Sequence, residues 1–307
     1  MRRRFFTADV FTDRIFGGNP LAVFPEGSGI EPAQMQRVAR ELNLSETVFV
    51  SPAETQAGTR RVRIFTPLQE VPFAGHPTLG TAFVLAKTGA IALTGDETRI
   101  VLEEGVGPVA VRIESQAGAP VRLELQAAQL PEAGPPAPPL GEIAAALSLA
   151  AEEVLDGPNA PKAFSCGLPF LFVTLRSLAA LGRARLARDA WQHSIAAHWA
   201  PNVFLFTREV DTPTTDLRAR MFAPAHGVSE DPATGSAVAA LAGVLAPLDP
   251  REDARLQFQI AQGVEMGRPS RLQLDVVKRA GEVAAVHVSG NAVLVSDGEM
   301  EIPDATA

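Results

Sequence analysis

Asp231-Pro232-Ala233-Thr234-Gly235-Ser236-Ala237 is the stretch that decides the fold, because the chain contains its pattern twice. The other copy is His76-Pro77-Thr78-Leu79-Gly80-Thr81-Ala82, and both copies read polar-Pro-x-x-Gly-hydroxyl-Ala before an Ala-rich apolar run. Two further pairs of segments precede them in the same order: Ile64–Pro67 with Met221–Pro224, and Glu46–Val50 with Asn202–Phe206. The repeat predicts two related lobes, each bringing the start of a helix to a shared cleft.

Composition supports the same division. The chain has 307 residues and 46% hydrophobic content, enough for two domains that each bury a core. We expect an N-terminal lobe at residues 1–130 and a C-terminal lobe at 131–307. The proline-rich segment Pro131–Pro139 is the expected linker, since it suits neither a helix nor a central strand. The sequence leaves open whether the last strand crosses back to the N-terminal lobe.

Charge and cysteine content bound the partners and the compartment. The net charge of −8 is spread without blocks, whereas nucleic-acid binding needs a basic face. No run reaches the ~20 apolar residues of a membrane span. The single cysteine, Cys166, excludes an intrachain disulfide and favours a reducing cytoplasm. We therefore expect a cytoplasmic protein that binds neither nucleic acid nor membrane.

Hydrophobic patterns predict the α+β class. Alternating runs predict strands in the first half, and the segment Pro32–Asn43 predicts an amphipathic helix with Met35 and Val38 on its apolar face. The helices predicted at Pro77–Thr88 and Ala233–Leu245 are apolar on nearly every side, which is typical of buried helices. We therefore expect two pseudo-symmetric lobes, each a curled, mostly antiparallel sheet wrapped around a central helix.

The two helix starts predict a binding site for a carboxylate. Asp231 and His76 each stand before a proline, as an N-cap stands before the first helical residue. A helix N-terminus has unpaired backbone N–H groups and partial positive charge, so two such ends facing one cleft would bind a carboxylate well. Gly235 and Ser236 lie in the predicted first turn. The alternative interpretation, that these residues only cap helices, is weakened because the pattern occurs twice.

Glu46 is the candidate catalytic base. Its counterpart in the second copy is Asn202, an amide that cannot accept a proton, so only one lobe supplies a base. A two-base racemase needs an acceptor on each face of the substrate carbon, whereas one base that returns its proton elsewhere makes an isomerase. Burial in a water-poor cleft would raise the pKa of Glu46 towards neutrality. His76 either polarises the substrate or serves as a second acid or base.

Other candidate residues give weaker indications of a catalytic or metal-binding role. His193 and His198 lie five residues apart on a predicted helix and do not share a face, so we expect no metal pair. His226 is interpreted as a solvated loop residue, and Cys166 as a buried apolar side chain with no paired base. The sequence contains no phosphate-binding loop, dinucleotide fingerprint or zinc spacing. We expect no cofactor and no metal.

The motifs resemble those of the phenazine-biosynthesis PhzF-like family, which has the diaminopimelate epimerase-like fold. The resemblance rests on four blocks: Phe5–Phe24 with Gly17-Gly18-Asn19-Pro20, Leu42–Val50 with Ser45-Glu46-Thr47, Ile64–Thr81 with Gly75-His76-Pro77, and Val228–Ala237 with Glu230-Asp231-Pro232. It implies two lobes, each a curled sheet around a central helix, usually in a homodimer. The best-known member isomerises trans-2,3-dihydro-3-hydroxyanthranilate without a cofactor.

The resemblance also implies residue roles. The family's catalytic glutamate falls on Glu46, and its substrate-holding residues fall on His76, Asp231 and Ser236. We take Glu46, His76 and Asp231 as catalytic candidates, and Ser236, Gly235, Gly75 and Asn19 as substrate-binding candidates. The epimerase relatives use two cysteines at the junction of the lobes, and this chain has none there.

The sequence therefore predicts a cofactor-independent isomerase of a small, cyclic amino or hydroxy acid with one glutamate base. Two alternatives stay open. One is an epimerase or racemase that pairs Glu46 with His76 or Asp231. The other is a binding protein for small acids that catalyses no reaction.

Overall fold

The computed structural model describes residues 1–303. The chain divides into two compact units: Met1–Gln126 together with the segment that begins at Ser289, and Ala127–Val288. Both units combine a sheet with a few helices, so the α+β class predicted from the sequence is confirmed.

The first unit is a sheet with one helix buried against it and one helix on the outside. Its elements are β1 (Arg2–Val10), β2 (Asn19–Phe24), α1 (Pro32–Leu42), β3 (Glu46–Pro52), β4 (Arg60–Phe65), β5 (Glu70–Val71), α2 (Gly75–Lys87), β6 (Glu97–Glu104), β7 (Gly107–Gln116), β8 (Ala119–Gln126) and the C-terminal strand Ala292–Glu301. The C-terminal strand pairs with β1, and the order continues β2, β3, β4, β6, β7, β8, with β5 beside β4. The β2–β3 and β4–β6 pairs are parallel and the others are antiparallel.

Helix α2 is the core of this unit. Its twelve residues from Gly75 to Ala86 are all buried, as the apolar sequence predicts. The strands β1, β2, β3, β7 and β8 and the C-terminal strand all pack against it. The approach is close at Gly80, where an added Cβ would lie 2.5 Å from Leu21 Cδ2 and 2.7 Å from Val10 Cγ2. The sheet thus curls around α2 at a distance that only a glycine permits.

Helix α1 covers the outer face of the same sheet. Its apolar stripe, Met35, Val38 and Ala39, is buried against Phe24 and Phe49, whose rings stack 4.9 Å apart. Pro32 occupies the start of the helix, where its missing N–H costs nothing. The helix predicted at Pro32–Asn43 is confirmed, and Asn43 ends it in the left-handed conformation that asparagine tolerates.

The second unit repeats this plan with more helices. Its elements are β9 (Glu132–Ala133), α3 (Leu140–Ala146), β10 (Lys162–Ser165), β11 (Pro169–Thr174), α4 (Leu178–Arg183), α5 (Arg188–Ser194), β12 (Asn202–Thr207), β13 (Leu217–Ala223), β14 (Val228–Asp231), α6 (Gly235–Leu245), β15 (Ala254–Gln262), β16 (Ser270–Arg279) and β17 (Glu282–Gly290). Single 3₁₀ turns lie at Ala151–Glu153, Gly157–Asn159, Pro224–His226, Ala246–Leu248 and Val264–Met266. The C-terminal strand Ala292–Glu301 is then β18. The sheet order is β9, β10, β11, β12, β13, β15, β16, with β14 beside β13.

Helix α6 is buried as α2 is. Ten of its eleven residues are buried, the exception being Ser236, and it packs against β10, β11 and β16. Helices α3, α4 and α5 cover the outer face of the sheet around Leu171, Val203 and Trp191. The strand β9 lies within the proline-rich segment Pro131–Pro139 and pairs at the edge with β10.

The sequence-predicted elements are largely confirmed, and two features were wrong. Asp231 and His76 do not cap the buried helices: α2 begins at Gly75 after Ala74, and α6 begins at Gly235 after Thr234. Pro77 is therefore the third helical residue of α2, and Pro232 lies outside α6. The physical reason is that a proline is tolerated both later in the first turn of a helix, as Pro77 is, and in the segment before a helix, as Pro232 is. The strands β5, β9, β10, β11 and β14 and the helix α4 were not predicted; between β10 and β11, Gly167 and Pro169 interrupt the apolar run.

Among residues 1–303, no helix is both long enough and apolar enough to cross a membrane.

The packing at Gly80 gives a first testable prediction. Gly80→Ala should destabilise the protein by about 1–3 kcal/mol, because Leu21 and Val10 are fully buried and have no room to move. Gly182→Ala in α4 is the matched control: nothing lies within 4 Å of its added Cβ, so the better helix propensity should stabilise by about 0.5–1 kcal/mol. Urea unfolding measures both. Equal effects of the two substitutions would contradict the packing described.

Candidate functional site

The strand register of the structure corrects the alignment of the repeat. Ile64 pairs with Val71 on β4 and β5, and Met221 pairs with Asp231 on β13 and β14. Asp231 is therefore equivalent to Val71 and not to His76. From there the two copies run without a gap: Glu70-Val71-Pro72-Phe73-Ala74-Gly75-His76 against Glu230-Asp231-Pro232-Ala233-Thr234-Gly235-Ser236. His76 and Ser236 are thus both the second residue of a buried helix.

The corrected repeat extends upstream to matched arginines. Arg63 forms a two-bond ion pair with Glu70, and Arg220 forms the same pair with Glu230. Each guanidinium also lies over the ring of the phenylalanine two residues later in its strand, at 5.2 Å in the first unit and 5.0 Å in the second. Both pairs fix the short strand that leads into the buried helix.

In the first unit the fold brings Glu46 and His76 together. Glu46 is the first residue of β3 and His76 lies in the first turn of α2. Glu46 Oε2 and His76 Nε2 are 2.9 Å apart, and the side chains are 16% and 7% exposed. Although the two atoms touch, neither makes a well-directed hydrogen bond with any described residue. The pair therefore keeps hydrogen-bonding capacity for a third group in a setting nearly free of water.

Asn19 and Gly75 lie on the elements that carry this pair. Asn19 is fully buried at the start of β2, and two residues later Leu21 is in parallel register with Glu46. Gly75 is the first residue of α2, and no side chain caps that helix end. The backbone N–H groups of Gly75 and His76 thus lie at the helix start that carries the Glu46–His76 pair, where the helix dipole favours negative charge.

In the second unit Asp231, Gly235 and Ser236 form one short segment. Thr234 Oγ1 donates a hydrogen bond to Asp231 Oδ2, which turns the carboxylate towards the start of α6. Gly235 opens the helix, no side chain caps it, and Ser236 is the one half-buried residue of the helix. A carboxylate, a hydroxyl and the N–H groups of a helix start therefore lie within six residues of one another.

Two residues whose side chains hydrogen-bond to these segments were not predicted from the sequence. Gln262 at the end of β15 bonds to Asp231 and Thr234, and Glu104 at the end of β6 bonds to Thr78. Glu104-Gly105-Val106 and Gln262-Gly263-Val264 follow His76 and Ser236 at similar distances. Extending the repeat past the helices would have found them.

The other titratable candidates lie apart from these groups. Burial raises the pKa of the Cys166 thiol to about 12, so it is protonated at neutral pH and a poor nucleophile. His193 and His226 are exposed, and His198 bonds to the backbone at Pro136 and Ala200. No cluster of three histidine, cysteine or acidic side chains suited to a metal ion occurs in the described part of the chain.

Comparison with known proteins gives the family. The model of the phenazine biosynthesis-like (PhzC-PhzF) family matches residues 8–298. An uncharacterised isomerase of Mesorhizobium japonicum is 40% identical over 98% of this chain and 99% of its own. The trans-2,3-dihydro-3-hydroxyanthranilate isomerase of Pseudomonas aeruginosa is 37% identical over 96% of this chain and 98% of its own. The crystal structure of a PhzF-family protein of Bacillus anthracis has a TM-score of 0.88 at 22% identity, covering 98% of this chain and all of that one.

The fold is thus of the diaminopimelate epimerase-like type, and the protein is an enzyme of the isomerase class. The chain belongs to the phenazine biosynthesis-like (PhzC-PhzF) family. The resemblance read from the motifs is confirmed.

The matched arginines give a second prediction. Arg220 is 4% exposed and also donates to the carbonyls of Leu181 and Ala184, so Arg220→Leu leaves a half-buried carboxylate and two carbonyls unpaired. We expect a loss of about 3–5 kcal/mol. Arg63→Leu is the matched control: with Arg63 25% and Glu70 43% exposed, it should cost no more than about 1 kcal/mol. Urea unfolding of the two variants decides, and similar losses would contradict this account.

Proposed function

We propose that the protein is a cofactor-independent isomerase of a small, cyclic amino or hydroxy acid, in which Glu46 is the single base. The observation that carries the proposal is the contact of Glu46 Oε2 with His76 Nε2 at the uncapped start of α2. The named activity of the relatives at about 37% identity supports trans-2,3-dihydro-3-hydroxyanthranilate as the first substrate to test.

The reaction requires one proton to leave one carbon and return to another. In our proposal the Glu46 carboxylate takes the proton from an acidic carbon, and the electron pair of that C–H bond shifts the double bond along the conjugated system. The Glu46 carboxylic acid then delivers the same proton to the far carbon. Atoms and charge balance without a second reactant. The Glu46 side chain is only 16% exposed, so little solvent competes with a substrate for its carboxylate.

The charge that develops on the substrate needs donors. His76 and the N–H groups at the start of α2, with Gly75 leaving room for close approach, are suited to this task. Asn19 is proposed to orient the substrate from β2. We assign Asp231 to the substrate's amine and Gly235 and Ser236 to its carboxylate, because a carboxylate accepts from an ammonium and helix N–H groups donate to an anion.

A single base is favoured by the equivalence of Glu46 and Asn202. Both are the first residue of a strand that runs parallel to its neighbour, with Leu21 opposite Glu46 and Phe170 opposite Asn202. An amide cannot accept a proton near neutral pH, so the position that mirrors the base is inert. This argues against an enzyme with two equivalent bases.

Glu46→Gln tests the assignment. The amide keeps the shape and removes the base, so kcat should fall at least about 10²-fold while the Kd for 3-hydroxyanthranilate changes little. The change in ultraviolet absorbance of trans-2,3-dihydro-3-hydroxyanthranilate measures turnover, and calorimetry measures binding. Asn202→Asp is the matched control, because it adds a carboxylate at the equivalent position of the second unit. This variant should leave turnover unchanged. Retained turnover in Glu46→Gln would reject the mechanism.

Heavy water separates the alternatives in the same assay. A proton shift between carbons moves the double bond. When the proton held by Glu46 exchanges with the solvent, deuterium enters only at the receiving carbon. An epimerase instead inverts one centre, introduces deuterium there and leaves the absorbance unchanged. Saturable binding without any product would favour the third alternative, a binding protein.

We further propose that the protein is a homodimer, as the family resemblance implies, and that it acts in the cytoplasm, as its single cysteine favours. Light scattering behind size exclusion should give twice the chain mass of 32.4 kDa across the micromolar range. A mass of one chain at every concentration would contradict the dimer.

A further inference from the structure

Glu104 and Gln262 occupy equivalent positions in the two units, at the ends of the strands β6 and β15. On β4 and β6, Arg61 pairs with Glu103, and on β13 and β15, Arg218 pairs with Ala261. Arg61 and Arg218 are equivalent, since each stands two residues before the arginine of the matched ion pairs. The next residue along each strand is therefore the equivalent pair, Glu104 in the first unit and Gln262 in the second.

The glycines that follow confirm this equivalence. A Cβ added to Gly105 would lie 2.7 Å from the Cα of Pro72, and one added to Gly263 would lie 3.0 Å from the Cα of Pro232. Pro72 and Pro232 are themselves equivalent in the repeat. In both units, therefore, the chain after the polar residue passes directly against the segment that leads into the buried helix.

Gln262 shows what this position does. Its Nε2 donates to the Asp231 carbonyl at 2.8 Å and to Thr234 Oγ1 at 3.0 Å, and its Oε1 accepts from the Thr234 N–H at 3.2 Å. The side chain is fully buried. A neutral group with both donor and acceptor capacity thus fixes the turn between Asp231 and the start of α6.

Glu104 has a carboxyl in the same position. The number of protons available for its hydrogen bonds indicates whether that carboxyl is protonated. Thr78 Oγ1 lies 2.7 Å from Glu104 Oε1 and 2.8 Å from the Ala74 carbonyl, but a hydroxyl has only one proton to donate. Both contacts are hydrogen bonds only when the carboxyl donates to Thr78 Oγ1 and Thr78 donates to Ala74. The second oxygen, Glu104 Oε2, is buried with no partner among the described residues, where a full charge would be costly.

We propose that Glu104 is a positioning residue, a neutral carboxylic acid that donates to Thr78 and thereby holds the Ala74–His76 segment, as the Gln262 amide holds Asp231–Thr234. Ala74 is the residue before α2, so its carbonyl sets the direction in which Gly75 and His76 enter the helix. Any effect on turnover rests on the proposed function. The structural part of the proposal does not.

Electrostatics agrees with the hydrogen count. Burial raises the pKa of Glu104 to about 8, in agreement with a neutral acid at this position. No charged group on a neighbouring element shifts that pKa. The titratable groups on those elements are His76 and Lys87 on α2, Arg60, Arg61 and Arg63 on β4, and Arg112 and Glu114 on β7.

The sign of the pH dependence follows. Because the pKa of Glu104 is higher in the folded protein than in the unfolded chain, the unfolded chain releases this proton first as pH rises. Stability conferred by the neutral acid is therefore lost progressively between about pH 4.5 and pH 8. A glutamine does not titrate, so the melting temperature of Glu104→Gln minus that of the natural protein should rise by several degrees from pH 5.5 to pH 8.

Glu103→Gln is the matched control on the neighbouring residue. Hydrogen bonds from Thr55 and the backbone of Glu54 lower the pKa of Glu103, so its contribution is complete above pH 5. The melting temperature of Glu103→Gln should differ from that of the natural protein by a constant amount between pH 5.5 and pH 8. A constant difference for Glu104→Gln as well would overturn the neutral-acid assignment.

Amide hydrogen exchange tests the positioning itself. Peptides that cover residues 73–78 should exchange at natural rates in Glu104→Gln, whose amide donates to Thr78 in place of the acid. In Glu104→Met, which fills the space without a donor, they should exchange at least about tenfold faster. Natural exchange rates in Glu104→Met would overturn the proposal. Since exchange and melting need no substrate, this result is independent of whether the proposed isomerase activity is found.

In an active enzyme the same variants separate a positioning role from a structural one. Glu104→Gln should keep kcat within about twofold. Glu104→Met should lower kcat more than it raises KM, because a displaced His76 weakens charge stabilisation more than ground-state binding. Equal kcat values for Glu104→Met and the natural protein would contradict positioning of His76.

Discussion

The structure depends on the burial of two helices that are apolar on every side. Burying α2 and α6 removes much apolar surface from water, but it also takes each helix start, with its unpaired N–H groups, into the interior of its unit. The residue before each helix, Ala74 or Thr234, makes no capping hydrogen bond with its side chain. Those N–H groups are the natural partners of an anion, so the requirement that builds the core also creates the binding groups of the candidate site.

Each helix start is held by polar side chains that the repeat supplies twice. An arginine–glutamate pair fixes the short strand before each helix. Glu104 hydrogen-bonds to Thr78 in the first unit, and Gln262 hydrogen-bonds to Asp231 in the second. The two copies differ at two pairs of equivalent positions. Glu46 and His76 in the first unit correspond to Asn202 and Ser236 in the second. Duplication thus gave the same scaffold twice, with a carboxylate and an imidazole at these positions in the first unit and an amide and a hydroxyl in the second.

The equivalent arginines also show why sequence identity does not fix an energy. Arg63 and Arg220 make the same ion pair in the same register, yet one is largely screened by water and the other is buried against two carbonyls. The difference arises at the end of α4, where the carbonyls of Leu181 and Ala184 accept hydrogen bonds from Arg220. A surface pair is weak because water competes for both charges, whereas a buried one becomes costly to break.

The sequence by itself determined the duplicated α+β plan, the buried helices, most strands and the candidate residues Glu46 and His76, because these follow from local periodicity and from the order of motifs. It placed the start of each helix wrongly, since a proline serves as well in an extended segment as in a first turn, and so matched His76 with Asp231. Only the tertiary structure decided the register, because strand pairing joins residues far apart in the chain: Met221 opposite Asp231 makes Val71 its equivalent and Ser236 that of His76. The same long-range contacts identified Glu104 and Gln262, whose roles depend on the residues to which the fold brings their side chains.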